Sequence, residues 1–200
     1  MATKITIEIY KEKKPEEFTT CLADPESKMQ SGSAAANTAA SAAAIAERVS
    51  KMLSSDGSND ERLDYLVRNT EIIRKYMVHL IDEDVKSRAP LRRAIREGGE
   101  HEIEAALQTS SAINNEIINM MCNFMPLLEE IAGLCDLTKI YLVKQAAVLA
   151  QAAAVVCQED NLAIAGRSED ETYSYVLKRE DEIMMQTLNE AVDRIMGTMK

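Results

Sequence analysis

Apolar residues recur at helical spacing along most of this 200-residue chain. Leu63, Leu66, Ile73, Met77 and Leu80 lie three to seven residues apart, so they share one face of a helix from about residue 60 to residue 86. The same reasoning predicts helices at about 15–22, 33–53, 91–97, 101–133 with a break near Ser110, 136–164 and 168–197. These segments cover most of the chain, which indicates an all-α fold.

Two of the predicted helices consist mainly of small residues. Residues 33–46 are almost wholly Ala and Ser, and residues 146–154 are mainly Ala. A face of small side chains lets a neighbouring helix approach at the short end of the usual ~8–10 Å spacing. We therefore expect an antiparallel bundle of six or so helices, with the two Ala-rich helices in close contact with their neighbours.

The N-terminal residues follow a different pattern. Ile5, Ile7 and Ile9 alternate with polar residues, which predicts a short strand from Lys4 to Tyr10. A single strand needs a partner, and a symmetric second chain could supply one. The sequence thus divides into an N-terminal arm or strand, residues 1–14, and a single helical domain, residues 15–200.

Composition and charge narrow the classes of partner. Aromatic residues make up only 4% of the chain, so Ala, Leu, Ile, Val and Met must build the core, which favours helices over a sandwich or barrel. The formal net charge of −10 argues against nucleic acid and against an anionic membrane surface, because both attract basic proteins. The sequence shows no signal peptide and no apolar run of the ~20 residues that a membrane span needs.

The four cysteines are far apart and form no Cys-x-x-Cys pair. Such cysteines in apolar surroundings are typical of reduced, buried thiols. Together with the missing signal peptide they predict a cytoplasmic protein.

A short polar segment, Ser31-Gly32-Ser33, leads into the first Ala-rich helix. Gly32 lets the backbone come close to another group because it has no Cβ. Either serine can cap the helix and leave free N–H groups at its positive end, which would suit a carboxylate or a polarised ring oxygen. The same three residues also make an ordinary helix start, so a purely structural role stays open.

Several weak motifs occur together in a characteristic order. They are Met29-Gln-Ser-Gly-Ser-Ala-Ala-Ala36, Asp84-Val-Lys-Ser-Arg88, Ala106-Leu-Gln-Thr-Ser-Ser-Ala-Ile113 and Asp170-Glu-Thr-Tyr173. In order and spacing, from about residue 16 to residue 200, the chain resembles the formiminotetrahydrofolate cyclodeaminase and methenyltetrahydrofolate cyclohydrolase family. The resemblance implies an all-helical fold, a homodimer and a folate-like small-molecule substrate, with no other cofactor.

The chain departs from the family pattern at several of these motifs. The glycine loop keeps one glycine of three, Arg88 replaces an aromatic residue and Asn114 replaces a proline. The family's Asn-rich run corresponds to Cys135–Leu142, where only Asp136 and Thr138 keep some polarity. The resemblance therefore implies a divergent member, either a cyclodeaminase or cyclohydrolase or a non-catalytic binding or assembly protein on the same scaffold.

Both family reactions act on a cationic, amidine-like carbon between two folate nitrogens, and a nearby carboxylate serves either reaction. The resemblance implies Asp84 as the catalytic carboxylate, although Asp84 could also belong to a solvated acidic run, residues 82–84. It implies Ser31, Gly32, Ser33, Asp136 and Thr138 as substrate-binding residues. The anionic glutamate tail would seek Arg92, Arg93, Arg96 or Lys139, and of these Arg92 is our candidate. His79 and Glu83 are one helical turn apart, but no third ligand accompanies them, so we expect no metal site.

Overall fold

The structure is a computed structural model that describes residues 8–55 and 60–198. Helices dominate the described chain, and their bounds are α1 Pro15–Ala23, α2 Ser31–Ser54, α3 Glu61–Ser87, α4 Ala89–Glu97, α5 Glu100–Ser110, α6 Ala112–Leu134, α7 Ile140–Ala165 and α8 Glu171–Gly197. The predicted all-α antiparallel bundle is confirmed. The predicted break near Ser110 is also confirmed, because α5 ends there and α6 begins two residues later.

Five long helices form the bundle. α2 packs against α3 and α7, and α8 packs against α6 and α7. Consecutive long helices run antiparallel, since Ser33 near the start of α2 meets Asp84 near the end of α3. The starts of α2 and α6 therefore lie at the same end of the bundle as the ends of α3 and α7.

The Ala-rich helices lie at the centre of the bundle, as their composition predicts. The alanines at 36, 39, 42, 43 and 46 in α2 have no exposed surface, and neither have those at 146, 147, 150, 153 and 154 in α7. Their side chains fill little volume, so the larger side chains of the core come mainly from α3 and α6, among them Leu66, Met77, Ile117 and Phe124.

The predicted N-terminal strand is not seen among the described residues. Ile5 and Ile7 lie outside them, and Glu8 to Tyr10 have irregular backbone. Tyr10 is buried in the core, and its backbone N–H donates to Asp82 Oδ1 at 2.7 Å. This contact fastens the start of the described chain to α3.

The α4–α5 hairpin lies at one end of the bundle and has a small core of its own. Leu91 and Ala94 of α4 and Leu107 of α5 pack there with Ile164 of α7 and Leu177 of α8. This core is separate from the main one, so the hairpin covers the end of the bundle without entering it.

Two helical segments have the length and apolar composition of a membrane span, namely Glu100–Leu134 and Ile140–Ala165. In each, 44% of the most apolar window is buried inside the bundle. Core helices of soluble proteins have the same composition, so these segments are weak evidence for a membrane.

Candidate functional site

Asp84 joins the end of α3 to the start of α2. The Asp84 side chain has no exposed surface, and its Oδ2 accepts a hydrogen bond from the backbone N–H of Ser33 at 2.9 Å. Ser33 Oγ lies 2.8 Å from the same oxygen and 3.0 Å from the carbonyl oxygen of Ile81. The carboxylate seat that the sequence predicts at the start of α2 is thus filled by the chain's own Asp84.

The predicted serine cap is wrong. Gln30 is the N-cap of α2 and no side chain caps the helix there, while Ser31 is the first helical residue and is half-buried. Ser33 lies inside the helix, and its backbone N–H is directed at Asp84. A carboxylate at this place satisfies a free N–H of the first turn and interacts favourably with the helix dipole.

Gly32 is the point of closest approach between α2 and the site. A Cβ at this position would lie 2.3 Å from Asp84 Oδ1 and 3.2 Å from Asn114 Oδ1. No side chain fits in that space unless Asp84 moves. The sequence prediction of a close approach at Gly32 therefore agrees with the structure, and the approaching group is a side chain of the same chain.

Arg88 lies behind Asp84 and is 5% exposed. Its Nε donates to Asp84 Oδ1 at 2.9 Å, its Nη1 donates to Gln30 Oε1 at 2.9 Å, and its Nη2 pairs closely with Asp160 Oδ2. Burial alone would lower the pKa of Arg88, but the bond to Asp160 and the charge of Asp84 raise it above its ordinary value. The guanidinium therefore stays charged between two carboxylates.

Amide side chains extend this network across the bundle. Asn114 Nδ2 donates to Asp160 Oδ2 at 2.8 Å and to Asn161 Oδ1 at 2.9 Å. Asn161 Nδ2 donates in turn to Asn115 Oδ1 at 2.7 Å and to Asp181 Oδ2 at 3.1 Å. Side chains from α3, α6, α7 and α8 are thus joined at one end of the bundle.

Asp181 is the most perturbed carboxyl of this network. Burial raises its pKa to about 6, while the hydrogen bond from Asn161 lowers it and the charge of Glu180 raises it further. The structure gives Asp181 no ion pair with a basic side chain of the described chain. A buried carboxylate without such a partner is costly, which is why the pKa of Asp181 lies above its ordinary value.

A cavity of about 240 Å³ opens beside this network, under the α4–α5 hairpin. Its polar wall holds Asp160, whose side chain is 19% exposed, together with basic residues. The full lining is Gln30, Arg88, Leu91, Arg92, Ile95, Leu107, Asp160, Ala163, Ile164 and Arg167. Asp84 does not reach the wall, because Arg88 stands between it and the cavity. The carboxylate on the wall of this cavity is Asp160, whereas the predicted catalytic residue Asp84 lies behind Arg88.

Arg92 faces the same cavity, as the prediction for an anionic ligand requires. Its Nη2 donates to the carbonyl oxygen of Val85 at 2.7 Å, and its Nη1 is buried with no hydrogen-bond partner among the described residues. Burial lowers the pKa of Arg92, although the charge of Asp84 raises it. A buried donor without an acceptor is unfavourable, so an anion in the cavity would satisfy it.

Asp136 and Thr138 do not join the site. They lie in the loop before α7, whereas Asp160 lies near the end of the same helix, roughly 30 Å away at ~1.5 Å per residue. Asp136 accepts hydrogen bonds from Thr138 and pairs with Lys139 at 2.8 Å. These contacts lower the pKa of Asp136 to about 2, with the larger effect from Lys139 and the smaller one from Thr138. Within one chain, the structure brings Ser31, Gly32, Ser33, Asp84 and Arg92 to one end of the bundle and places these two at the other.

Asp160, Asn161 and Asp181 were not predicted from the sequence. A signal was present in residues 158–161, Gln-Glu-Asp-Asn, which form a polar run inside an otherwise apolar helix. Two of the departures from the family pattern, Arg88 and Asn114, lie in the network. Within residues 8–55 and 60–198 there is no group of three or more His, Cys, Asp or Glu residues that could hold a metal ion.

Comparisons with known proteins agree with this fold. The family model for formiminotransferase-cyclodeaminase matches residues 14–182. The crystal structure of a formiminotetrahydrofolate cyclodeaminase from Thermotoga maritima matches with a TM-score of 0.84 and 20% sequence identity, covering 92% of this chain and 94% of that one. No curated protein sequence matches the chain. Since the family model covers most of its length, the chain belongs to the formiminotransferase-cyclodeaminase family.

Proposed function

We propose that this protein binds a reduced folate in the cavity beside Asp160 and acts on its one-carbon bridge as a cyclodeaminase or cyclohydrolase. Membership of the family supports the folate-like ligand. The observation that carries the proposal is the position of Asp160, a partly exposed carboxylate on the wall of a cavity that also holds Arg92 and Arg167. An anionic ligand with a cationic centre is complementary to that wall.

The chemistry assigns different tasks to the residues. In the methenyl and formimino folates the bridging carbon belongs to a cationic amidine, which a carboxylate attracts and stabilises. In cyclohydrolysis Asp160 would accept the proton of the attacking water. In cyclodeamination it would accept the proton of the folate nitrogen that attacks the bridging carbon, and return it to the ammonia that leaves that carbon. Asp84, Gly32 and Ser33 act as positioning residues, since they hold the end of α3 against α2.

The cavity can hold only one end of a folate. Its volume of about 240 Å³ is below the ~300–1,000 Å³ of pockets that bury a whole drug-sized ligand. The unpartnered Nη1 of Arg92 supports an anionic group at this position. We propose that the glutamate tail reaches Arg92 and that the remainder of the ligand lies towards the surface.

Turnover of methenyl- and formiminotetrahydrofolate by wild type and Asp160→Asn tests this function. The variant should lose about 100-fold in kcat, which is the usual contribution of one acid–base group. Its affinity for the folate should change by less than about tenfold, because Arg92 and the apolar wall are retained. Glu159→Gln, an exposed carboxylate next to Asp160, is the matched control and should retain full turnover.

Two results would reject the proposal. If wild type binds neither folate at millimolar concentration, the protein has no folate site. If Asp160→Asn keeps the turnover of wild type, the reaction uses another carboxylate. In the same titration a pterin without the glutamate tail should bind more weakly than the complete folate. Equal affinity would remove Arg92 from the site.

A second candidate function is folate binding without turnover. Arg88 favours it, because its guanidinium is itself a planar cation and already lies between Asp84 and Asp160. If Arg88 keeps that place, the substrate's amidine cannot enter the position between the two carboxylates and meets Asp160 only from the cavity side. Micromolar binding by wild type without any turnover would select this candidate.

We also propose a cytoplasmic homodimer. The four cysteines are free, as in a reducing compartment. Support for a second copy comes from α7, whose outer face carries Tyr141, Val148, Val155 and Leu162 at seven-residue spacing, each 38 to 53% exposed. Identical apolar faces of this kind can cover one another across a twofold axis. Sedimentation equilibrium measures the mass directly, and a monomer at micromolar concentration would contradict the proposal.

A further inference from the structure

Arg88 is an unusual residue for the centre of this site. The family motif has an aromatic side chain at this place, whereas Arg88 brings a charged group into a buried position and is 5% exposed. Burying a charge is costly unless it is paired and hydrogen-bonded, so the surroundings of Arg88 must supply full compensation.

The surroundings supply an acceptor for each of its five N–H groups. Nε donates to Asp84 Oδ1 at 2.9 Å, and Nη1 donates to Gln30 Oε1 at 2.9 Å and lies 3.5 Å from Asp160 Oδ1. Nη2 pairs closely with Asp160 Oδ2 and lies 3.4 Å from Asn114 Oδ1. These four side chains come from four separate parts of the chain, before α2 and in α3, α6 and α7.

The acceptors surround the guanidinium as a negatively charged frame. Asp84 and Asp160 stand on two sides of the guanidinium, and the oxygens of Gln30 and Asn114 complete its edge. Asn114 is fixed in this orientation, because its Nδ2 donates to Asp160 and Asn161. One side of the frame is open to a ligand, since Arg88, Gln30 and Asp160 all line the 240 Å³ cavity.

We propose that Asp84, Asp160, Asn114 and Gln30 form a binding frame for a planar amidinium cation, and that Arg88 is its built-in occupant. An amidinium group has the planar N–C–N unit of a guanidinium, with fewer N–H donors, so it fits the same acceptors. A ligand with such a cation competes with Arg88, which must swing into the cavity to release the frame. That the natural ligand is a folate amidine rests on the proposed function, whereas the frame itself does not.

Chemical rescue of Arg88→Ala tests the frame. Removing the guanidinium leaves the buried Asp84 and the partly exposed Asp160 without their cation, so the thermal unfolding midpoint should fall by roughly 10 °C. Guanidinium or formamidinium chloride at ten times its dissociation constant should then raise the midpoint by about 3–5 °C. Methylammonium and sodium chloride at the same ionic strength should have no such effect, because neither presents a planar N–C–N unit.

Wild type and Arg179→Ala, which removes an exposed arginine of α8, should show no rise with any of the four salts. If Arg88→Ala fails to fold, the double variant Arg88→Ala/Asp160→Asn removes one of the two charges and should fold. The double variant should also bind guanidinium at least tenfold more weakly than Arg88→Ala that has been folded in the presence of guanidinium. Rescue by methylammonium equal to that by guanidinium, or no rescue of either variant, would overturn the proposal.

Folate binding to Arg88→Ala tests, independently of guanidinium rescue, whether a folate amidine is the ligand of the frame. If the frame takes the substrate's amidine, Arg88→Ala should bind formiminotetrahydrofolate at least tenfold more tightly than wild type. Guanidinium rescue without this gain would keep the frame and reject the folate as its ligand. A gain in folate affinity without guanidinium rescue would support the proposed function and reject the frame.

Discussion

Replacing Gly32 with alanine should destabilise the protein by about 3 kcal/mol, although alanine is the better helix former. Helix propensity alone predicts a gain of up to ~1 kcal/mol for such a change. The added Cβ, however, would lie 2.3 Å from Oδ1 and 2.7 Å from Cγ of Asp84. Asp84 cannot move away without losing its bonds to Ser33 and Arg88, so the buried ion pair is disturbed as well. Denaturant unfolding at neutral pH measures the difference.

Gly133→Ala is the matched control for this prediction. Gly133 lies in α6, and a Cβ there would meet no atom within 4 Å, so this variant should be neutral or slightly stabilised. Opposite signs at the two positions separate a steric effect from helix propensity. A Gly32→Ala variant as stable as wild type would show that Asp84 is held less firmly than its contacts imply, and would weaken its role as a positioning residue.

The helices were predictable because buried apolar residues recur along them at helical spacing. Residues such as Leu66, Ile73 and Met77 face the core at helical spacing, and the serines at 110 and 111 mark the one break inside a predicted helix. Helix starts were less certain, because several helices begin without a side-chain cap. α7 begins at Ile140 and not at 136, where Asp136 bonds to its own loop. Local pattern determines the elements, but their ends depend on such contacts.

The site was only partly predictable. Gly32, Ser33 and Asp84 meet as the resemblance implies, because α2 and α3 are antiparallel neighbours joined by a short connection. Asp136 and Thr138 match the order of the family motifs along the chain. The length of α7, however, places them roughly 30 Å from Asp160. Nothing in the spacing of residues distinguishes these two ends of the helix. The partner of Arg88 could be identified only from the packing of α7 against α2 and α6, which brings Asp160 to the end of α3.

The stability of wild type should fall as pH rises from about 4 to 6 relative to Asp181→Asn, by a total of about 3 kcal/mol. Burial raises the pKa of Asp181 in the folded protein to about 6, whereas an unfolded chain has the ordinary value near 3.8. Between these values the folded state binds more protons than the unfolded state, so each step up in pH favours unfolding. Above pH 6 the difference should be constant, and below pH 4 it should vanish, because a protonated carboxyl and an amide are similar in shape.

Asp193→Asn is the matched control, since Asp193 is exposed on the same helix. Its stability should follow wild type at every pH. Other carboxylates with lowered pKa values, such as Glu47 and Glu130, stabilise the protein as pH rises from the acid side, and both variants retain them. Subtracting the wild-type curve from that of Asp181→Asn therefore isolates Asp181. A flat difference would mean that Asp181 is ionised at low cost, and that its burial and its hydrogen bonds with Asn161 do not hold it as tightly as the structure indicates. A sloping one would make Asp181 the titrating group at one end of the chain of hydrogen bonds that runs through Asn161 and Asn114 to Asp160.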